Sequence, residues 1–389
     1  MTFAFGNPLV EVILSAWLVV TALACLAAYR AQRDRTDPWI PKGGEKTVVI
    51  MPVRGAPPHL SETWRGISAQ TFQPARIVFA VESEADPAVA RLRSLKGGPP
   101  FEIVVAGPTT RRAQKIHNLL AALATLKDSD DTVVFADADI QPGKDWLARL
   151  LKWHNRDNLD AVSGYRFLLP TDNRWSSTFV ALVNCSIAVM PRPPAIALAW
   201  GGSMVLSRRT IAAIRLEQRW DRIVSDDLSL TQAIWAHGGT VHSPRDALVL
   251  SPASYSWREA IVFGRRQYLL VRIHTPLFWA VAAAGVTVGL AGWVVALPLA
   301  ATADPFALGA ICIAVILDRT GAFFRARVLH KILGIEFAPR TARLDRWGRP
   351  IVLLFHAVLV WSAAFGRRVA WAGRIYQVGA GGEVLSIQQ

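Results

Sequence analysis

Residues 9–28 carry a single charge, Glu11, in an otherwise apolar run. A helix needs about 20 such residues to cross the hydrocarbon layer of a bilayer, so this segment is expected to span the membrane and tie the chain to it. Basic residues follow the run at Arg30, Arg33 and Arg35 instead of preceding it. That order argues against a secretory signal, and the positive-inside rule then puts the next domain in the cytoplasm. A second uncharged stretch covers residues 275–303. A third, residues 305–317, is short unless Asp318 and Arg319 pair and let it continue to residue 324. A fourth, residues 351–365, is expected to be a short, tilted or re-entrant membrane helix. Between Arg319 and Arg349 the basic residues face only Glu336 and Asp345, which suits a segment on the cytoplasmic membrane face and equally a solvated basic loop.

Composition agrees with this topology. With 43 Lys and Arg against 29 Asp and Glu, the net charge is +14, yet 52% of the residues are hydrophobic. A soluble nucleic-acid binder of that charge would be more polar, whereas a membrane protein facing an anionic leaflet combines the two properties. Fifteen Trp residues fit interfacial anchoring. Disorder is excluded by the hydrophobic content. Cys25, Cys185 and Cys312 lie far apart in apolar runs, so neither a disulfide framework nor a cysteine metal knuckle is available. The histidines show no metal-ligand spacing, and no Ser/His/Asp or Cys/His arrangement can be argued.

Between the first two apolar stretches the chain alternates as a parallel α/β sheet does. Short β-rich runs occur at residues 47–53, 77–81, 101–105, 132–135 and 161–167, with helical stretches at 60–70, where Ser61 is a candidate cap, and 112–127. Right-handed crossovers then predict an open doubly wound sheet that binds ligands outside the carboxyl ends of its strands. That rule selects Glu82, Glu84 and Asp86 after one strand, and Asp137 and Asp139 after another. No glycine-rich dinucleotide fingerprint or P-loop follows the first strand.

In Phe135-Ala136-Asp137-Ala138-Asp139 an apolar strand ends in two carboxylates at i and i+2. Such a pair can hold a hard cation, Mg²⁺ or Mn²⁺, and leave positions open for a diphosphate; aspartate pairs also cap helices and make turns. Ser225-Asp226-Asp227 opens a helical stretch. Acidic residues there complement the helix dipole, and one of them can also act as general base toward an attacking hydroxyl. Arg265 and Arg266, with Arg272 a little farther on, precede the second apolar stretch and are either diphosphate clamps or membrane-flank anchors. Lys115 and Asn118 face a nucleotide or water. Trp200-Gly201-Gly202-Ser203 is a turn signal after an apolar stretch, residues 175–200, that is either core or a membrane-dipping slot for a lipid acceptor.

Together these residues resemble the ceramide glucosyltransferase family, membrane enzymes of GT-A fold related to family 2 of the glycosyltransferases. The likeness runs from Pro52-Val53-Arg54-Gly55 through Asp86-Pro87-Ala88, Lys115-Ile116-His117-Asn118-Leu119, the Asp137 motif, Gly202-Ser203-Met204, Asp226-Asp227 and Ser254-Tyr255-Ser256 to Trp371-Ala372-Gly373-Arg374-Ile375-Tyr376. It implies an α/β GT-A domain over residues 31–272, between an N-terminal transmembrane helix (residues 1–30) and a C-terminal membrane region (residues 273–389) with two or three helices. It further implies inverting transfer of a hexose, glucose from UDP-glucose, to the hydroxyl of a lipid such as ceramide. Asp227 would be the base with Asp226 beside it, and Asp137 and Asp139 the metal ligands for Mg²⁺ or Mn²⁺. Glu82, Glu84, Asp86, Lys115, Asn118, Asp137, Arg265 and Arg266 would bind the donor, and Trp200, Gly201, Gly202 and Ser203 would stand on the acceptor side. The expected location is a bacterial inner membrane with the catalytic domain cytoplasmic and no nucleic-acid partner. Two departures are visible. Ser83 stands between Glu82 and Glu84 where the family has Asp, and Arg266-Gln267-Tyr268-Leu269-Leu270 lacks the Arg-Trp pair of the family's (Q/R)xxRW motif. The same machinery with N-acetylglucosamine or another hexose and a hopanoid or diacylglycerol acceptor is the nearest alternative. A catalytically dead, lipid-binding scaffold is an alternative of another class.

Overall fold

A computed structural model of the chain describes residues 7–33, 46–154, 158 and 160–388; Arg35 lies outside the described residues. The chain forms two compact units interleaved along the sequence. One comprises Met1–Asp34, Pro170–Pro191 and Ala253–Gly366, and the other Arg35–Leu169, Arg192–Pro252 and Arg367–Gln389.

The second unit is built on strands β1 (Thr47–Pro52), β2 (Arg76–Val81), β3 (Phe101–Val105), β4 (Thr132–Ala136), β5 (Ala161–Ser163), β6 (Tyr165–Pro170), β7 (Ser203–Ser207), β8 (Val241–His242) and β9 (Leu248–Ala253). Seven of them make one sheet in the order β3-β2-β1-β4-β7-β5-β8, while β6 and β9 pair separately. β3, β2, β1 and β4 run parallel, β7 is antiparallel to both neighbours, and β5 and β8 are parallel. This is the open, parallel-dominated α/β sheet of the GT-A expectation. Continuous apolar runs such as Val48-Val49-Ile50-Met51 form strands because both faces are covered, and all four of these residues are fully buried. Trp64, Ile67, Leu92, Trp146 and Leu150 supply part of that cover on one face.

Several sequence-level boundaries shift for local reasons. The run at 161–167 divides into β5 and β6 at Gly164, where a Cβ would lie 2.5 Å from the Ala247 carbonyl. The helix at 60–70 spans Leu60–Ser68 with His59 at its N-cap, so Ser61 sits inside the first turn and caps nothing. The helix at 112–127 contracts to Gln114–Leu123. The tail, grouped with the membrane region by sequence, adds an antiparallel sheet to this unit: β10 (Arg368–Trp371), β11 (Arg374–Val378) and β12 (Val384–Gln388). Ala372 and Gly373 turn the first hairpin with φ of 50° and 75°. A two-residue hairpin loop favours positive φ at both central residues, because only that twist matches the strands.

The first unit is helical. Pro8–Arg33, Pro276–Ala301 and Pro305–Leu333 are long and apolar enough to cross a membrane. At 26 residues the first two measure about 39 Å, more than the ~30 Å hydrocarbon layer. They pack closely: Trp17 meets Trp293 edge to face with ring centroids 4.8 Å apart. A Cβ on Gly292 would lie 2.1 Å from Trp17 Cγ, so the glycine creates the slot that the indole fills. The helix from Pro305 does run through Asp318 and Arg319, but not by the expected pairing of those two residues. Asp318 Oδ1 instead lies 3.7 Å from Arg349 Nε, and the Arg319 guanidinium stands 4.1 Å from the centroid of the Trp347 ring. One turn and a half farther on, Arg325 pairs with Asp345 through two contacts of 2.8 and 3.2 Å, with both side chains under 10% exposed. Partners from other helices thus let charges continue an apolar helix. The fourth apolar stretch is the helix Arg349–Ser362, whose 14 residues measure about 21 Å and fall short of a full crossing.

Candidate active site

The register of the sheet assembles the site. Ala136 at the end of β4 lies opposite Ser203 at the start of β7. Asp137 and Gly202 are therefore neighbours just beyond the strand ends, and the Asp137 N–H donates to the Gly202 carbonyl at 3.2 Å. The turn that carries Asp139 is held from beneath by buried Thr63, whose hydroxyl lies 3.1 Å from the Ala138 carbonyl and 2.7 Å from that of Ile140. Asp226 and Asp227 open the helix Asp226–Ala236, where the dipole favours their charge. Lys115 stands in the first turn of Gln114–Leu123, where the same dipole disfavours a cation; carboxylates must compensate.

They do. The Lys115 ammonium lies 2.8 Å from Asp137 Oδ1 and 2.9 Å from Asp226 Oδ2, and it donates to the Gly201 carbonyl at 3.3 Å. Three acceptors match its three N–H donors. Burial alone would lower the Lys115 pKa, but Asp137 and Asp226 outweigh it and leave the amine more basic than an ordinary lysine. Burial pushes the Asp226 carboxyl up to about 6, with Asp227 and Asp137 adding to that and Lys115 opposing it. Asp139 is open to water, yet the protein mass around it and the Asp137 charge raise its pKa against Arg166 and Lys115. The cluster thus carries more negative charge than its two cations offset.

Asp227 is half-buried and firmly oriented. Its Oδ1 accepts from the Ser225 hydroxyl (2.6 Å) and the Leu228 N–H (2.8 Å), and its Oδ2 accepts from the Gly201 N–H (3.1 Å). Ser225 thereby uses its hydroxyl on Asp227 and not as a helix cap. The two glycines are required by contact. A Cβ on Gly201 would lie 2.3 Å from Asp226 Oδ2, and one on Gly202 would lie 2.2 Å from the Trp200 ring and 2.6 Å from Asp137 Oδ2. Only a bare backbone lets this loop lie against both acidic motifs.

The other sequence-selected residues divide. Trp200 borders the cluster, and the Arg166 guanidinium lies 5.4 Å from its ring centroid. Ser203 points into the sheet and accepts from Trp146 Nε1 at 2.9 Å. Asn118 is buried, accepting from Gln114 and donating to the Ala80 carbonyl at the end of β2. Asp86 caps the helix Pro87–Arg93 and accepts from the Gly55 N–H, both at 2.8 Å. Glu84 pairs with Arg93 at the surface. Glu82 pairs with Arg374 of β11, a residue that the sequence offered only as part of a tail motif. Arg265 and Arg266 belong to the helical unit. Arg265 donates to the Ser362 and Phe365 carbonyls, both at 2.9 Å, and so satisfies orphan acceptors at the end of Arg349–Ser362. Arg272 donates to Gly366 at the same helix end, and Arg266 lies 5.5 Å from the Phe263 ring centroid. Among the described residues, no group of three or more His, Cys, Asp or Glu side chains is arranged to hold a metal ion.

A mannosyltransferase from Pyrobaculum calidifontis, solved with GDP-Man and Mn²⁺, is 18% identical, with coverage of 90% of this chain and 97% of that one and a TM-score of 0.45. Glucosyl-3-phosphoglycerate synthase from Mycobacterium tuberculosis, solved with phosphoglyceric acid, is 14% identical over 61% of this chain and 85% of that one, with a TM-score of 0.39. GalNAc-T7, solved with UDP, GalNAc and Mn²⁺, is 13% identical over 60% and 50%, with a TM-score of 0.38. No curated protein sequence matches significantly. The sequence profile of glycosyl transferase family 21 matches residues 10–384, nearly the whole chain, and the protein therefore belongs to that family of sugar-transferring enzymes.

Proposed function

We propose that the protein is an inverting glycosyltransferase that moves glucose from UDP-glucose to the primary hydroxyl of a membrane lipid of the ceramide type. The observation that carries this reading is Lys115, which joins the Asp137 motif to the Asp226-Asp227 pair in one charged cluster. The donor would lie over the carboxyl ends of the strands, and the lipid hydroxyl would approach Asp227. Three hydrogen bonds keep the Asp227 carboxylate in one orientation, as a general base requires. It takes the hydroxyl proton while the oxygen attacks the anomeric carbon; the bond from that carbon to UDP breaks, and UDP leaves with the electron pair. Asp226 would hold Lys115 close to the leaving diphosphate, where its positive charge offsets the charge that develops.

Asp137 and Asp139 would hold a divalent cation, Mg²⁺ or Mn²⁺. The fit is electrostatic and chemical, since the donors are hard carboxylate oxygens and Asp139 already stands in an excess of negative charge. When bound, such an ion supplies further charge stabilisation to the diphosphate. A lipid acceptor accords with three apolar helices in the same chain. Arg30 and Arg33 at the end of the first of them favour the cytoplasmic side for the α/β unit. Asp227→Asn tests the base assignment: folded protein should lose about 10²–10⁴-fold in turnover, and retention of more than roughly a hundredth of the activity removes Asp227 from that role.

A further inference from the structure

The C-terminal sheet does more than cover the α/β unit. Arg374 on β11 is 7% exposed, and its guanidinium reaches Glu82 beyond β2 and Gln114 Oε1 at 3.0 Å. Two residues on, and therefore on the same face of the strand, the Tyr376 hydroxyl accepts from the Gln114 N–H at 3.4 Å. Gln114 opens the helix that carries Lys115, and its side chain also takes the Thr109 N–H and donates to Gly107 and Asn118. Arg54, just past β1, donates to the Ala372 carbonyl at the hairpin tip. At the other edge Ile223 bridges Glu383, and Val224 N–H donates to the Gly382 carbonyl at 3.1 Å, one residue before the Ser225-Asp226-Asp227 run. One sheet thus fastens the ends of β1 and β2, the start of the Lys115 helix and the approach to the acidic pair. These are the loops over which an open α/β sheet binds nucleotides.

We propose that this sheet is a built part of the nucleotide-sugar site. Arg374 is a positioning residue that fixes Glu82 and the Gln114 turn where the nucleoside portion of the donor binds. The inference rests on the donor reading above. Its geometry is specific: the planar guanidinium directs one terminal nitrogen to the Glu82 carboxylate and the other to the Gln114 amide oxygen in a fixed fork, whereas a lysine ammonium would have to reach both from a single nitrogen.

The test measures UDP affinity by calorimetry, and donor KM against kcat, for the full-length wild type, Arg374→Ala, Arg374→Lys, Glu82→Ala and the Arg374→Ala/Glu82→Ala double variant, with thermal unfolding alongside. Arg374→Ala should weaken UDP and raise donor KM about tenfold to a hundredfold with kcat changed less than about threefold. Arg374→Lys should recover only part of this. The double variant should be no worse than the poorer single one, because Arg374 acts through Glu82. Unchanged UDP affinity in Arg374→Ala, or additive losses in the double variant, overturns the proposal. If Arg374→Ala does not fold, Arg374→Lys decides alone: a weakened UDP affinity at unchanged unfolding temperature supports it, and an unchanged affinity refutes it. Wild type that binds no UDP would bring down the donor reading and this inference together, whereas wild type and variants that bind it equally would bring down only the inference.

Discussion

Lys115→Met isolates what the central ammonium does. The substitution keeps an unbranched side chain of similar length and removes the charge. Lys115 is 15% exposed and Asp226 4% exposed, so the pair is screened little by solvent. Removing one partner of such a buried pair leaves an uncompensated charge and costs about 3–5 kcal/mol. For a unit of this size that is a drop in unfolding temperature of about 6–20 °C. The loss must depend on pH. With Lys115 present, burial already pushes Asp226 up to about 6, above an ordinary aspartate. A raised carboxyl binds more protons folded than unfolded, so its contribution to stability falls as pH rises from the ordinary value through the folded one. Removing the ammonium raises that carboxyl further and extends the fall to higher pH. Near pH 5 the variant can neutralise Asp226 by protonation, and its deficit should shrink to less than about 5 °C; near pH 8 it cannot, and the full deficit should appear. Wild type and variant are compared at each pH in a chelating buffer, so that other groups cancel and no cation replaces the amine. A deficit equal at both values, or larger near pH 5, refutes the cluster electrostatics.

Gly202→Ala should destabilise the α/β unit by about 1–3 kcal/mol and weaken donor binding, since its Cβ would lie 2.2 Å from the Trp200 ring; thermal unfolding and UDP titration read both effects. In the helical unit Arg325→Met should cost about 3–5 kcal/mol by stranding Asp345, and Arg325→Met/Asp345→Leu should recover most of it; a double variant that recovers less than half would show that the pair is held for more than charge balance. Chelation of divalent cations should abolish UDP release and Mn²⁺ should restore it, while Asp137→Asn should respond to neither.

Much of this was legible in the sequence because it is local. Val48-Val49-Ile50-Met51 and Thr132-Val133-Val134-Phe135 read as buried strands without knowledge of their neighbours, and Asp137 and Asp139 then fall at a strand end by counting. Two of the spans, residues 9–28 and 275–303, needed only length and apolarity. What was hidden depends on pairing across the chain. Lys115 looked like a donor contact or a solvent-facing residue, and its bridging role appears only when Gln114–Leu123 and Asp226–Ala236 come together. Arg265 carried the charge of a phosphate clamp but closes a helix end nearly a hundred residues away in sequence. Ser203 lay in the right motif yet alternates inward on β7. The helix Pro305–Leu333 runs on through Asp318, Arg319 and Arg325 because Arg349, Trp347 and Asp345 receive them. Arg374 stood in a recognisable tail motif, and no local signal tied it to Glu82.

Transfer of a sugar to a lipid hydroxyl at the Lys115-linked cluster can be observed through both of its products. The most direct measurement is UDP release from UDP-glucose and Mn²⁺ by the full-length protein in detergent, with and without ceramide, together with mass spectrometry of the lipid. UDP release should require ceramide and yield a lipid heavier by one hexose. Release that is indifferent to ceramide, or an unmodified lipid after full UDP release, would contradict that transfer.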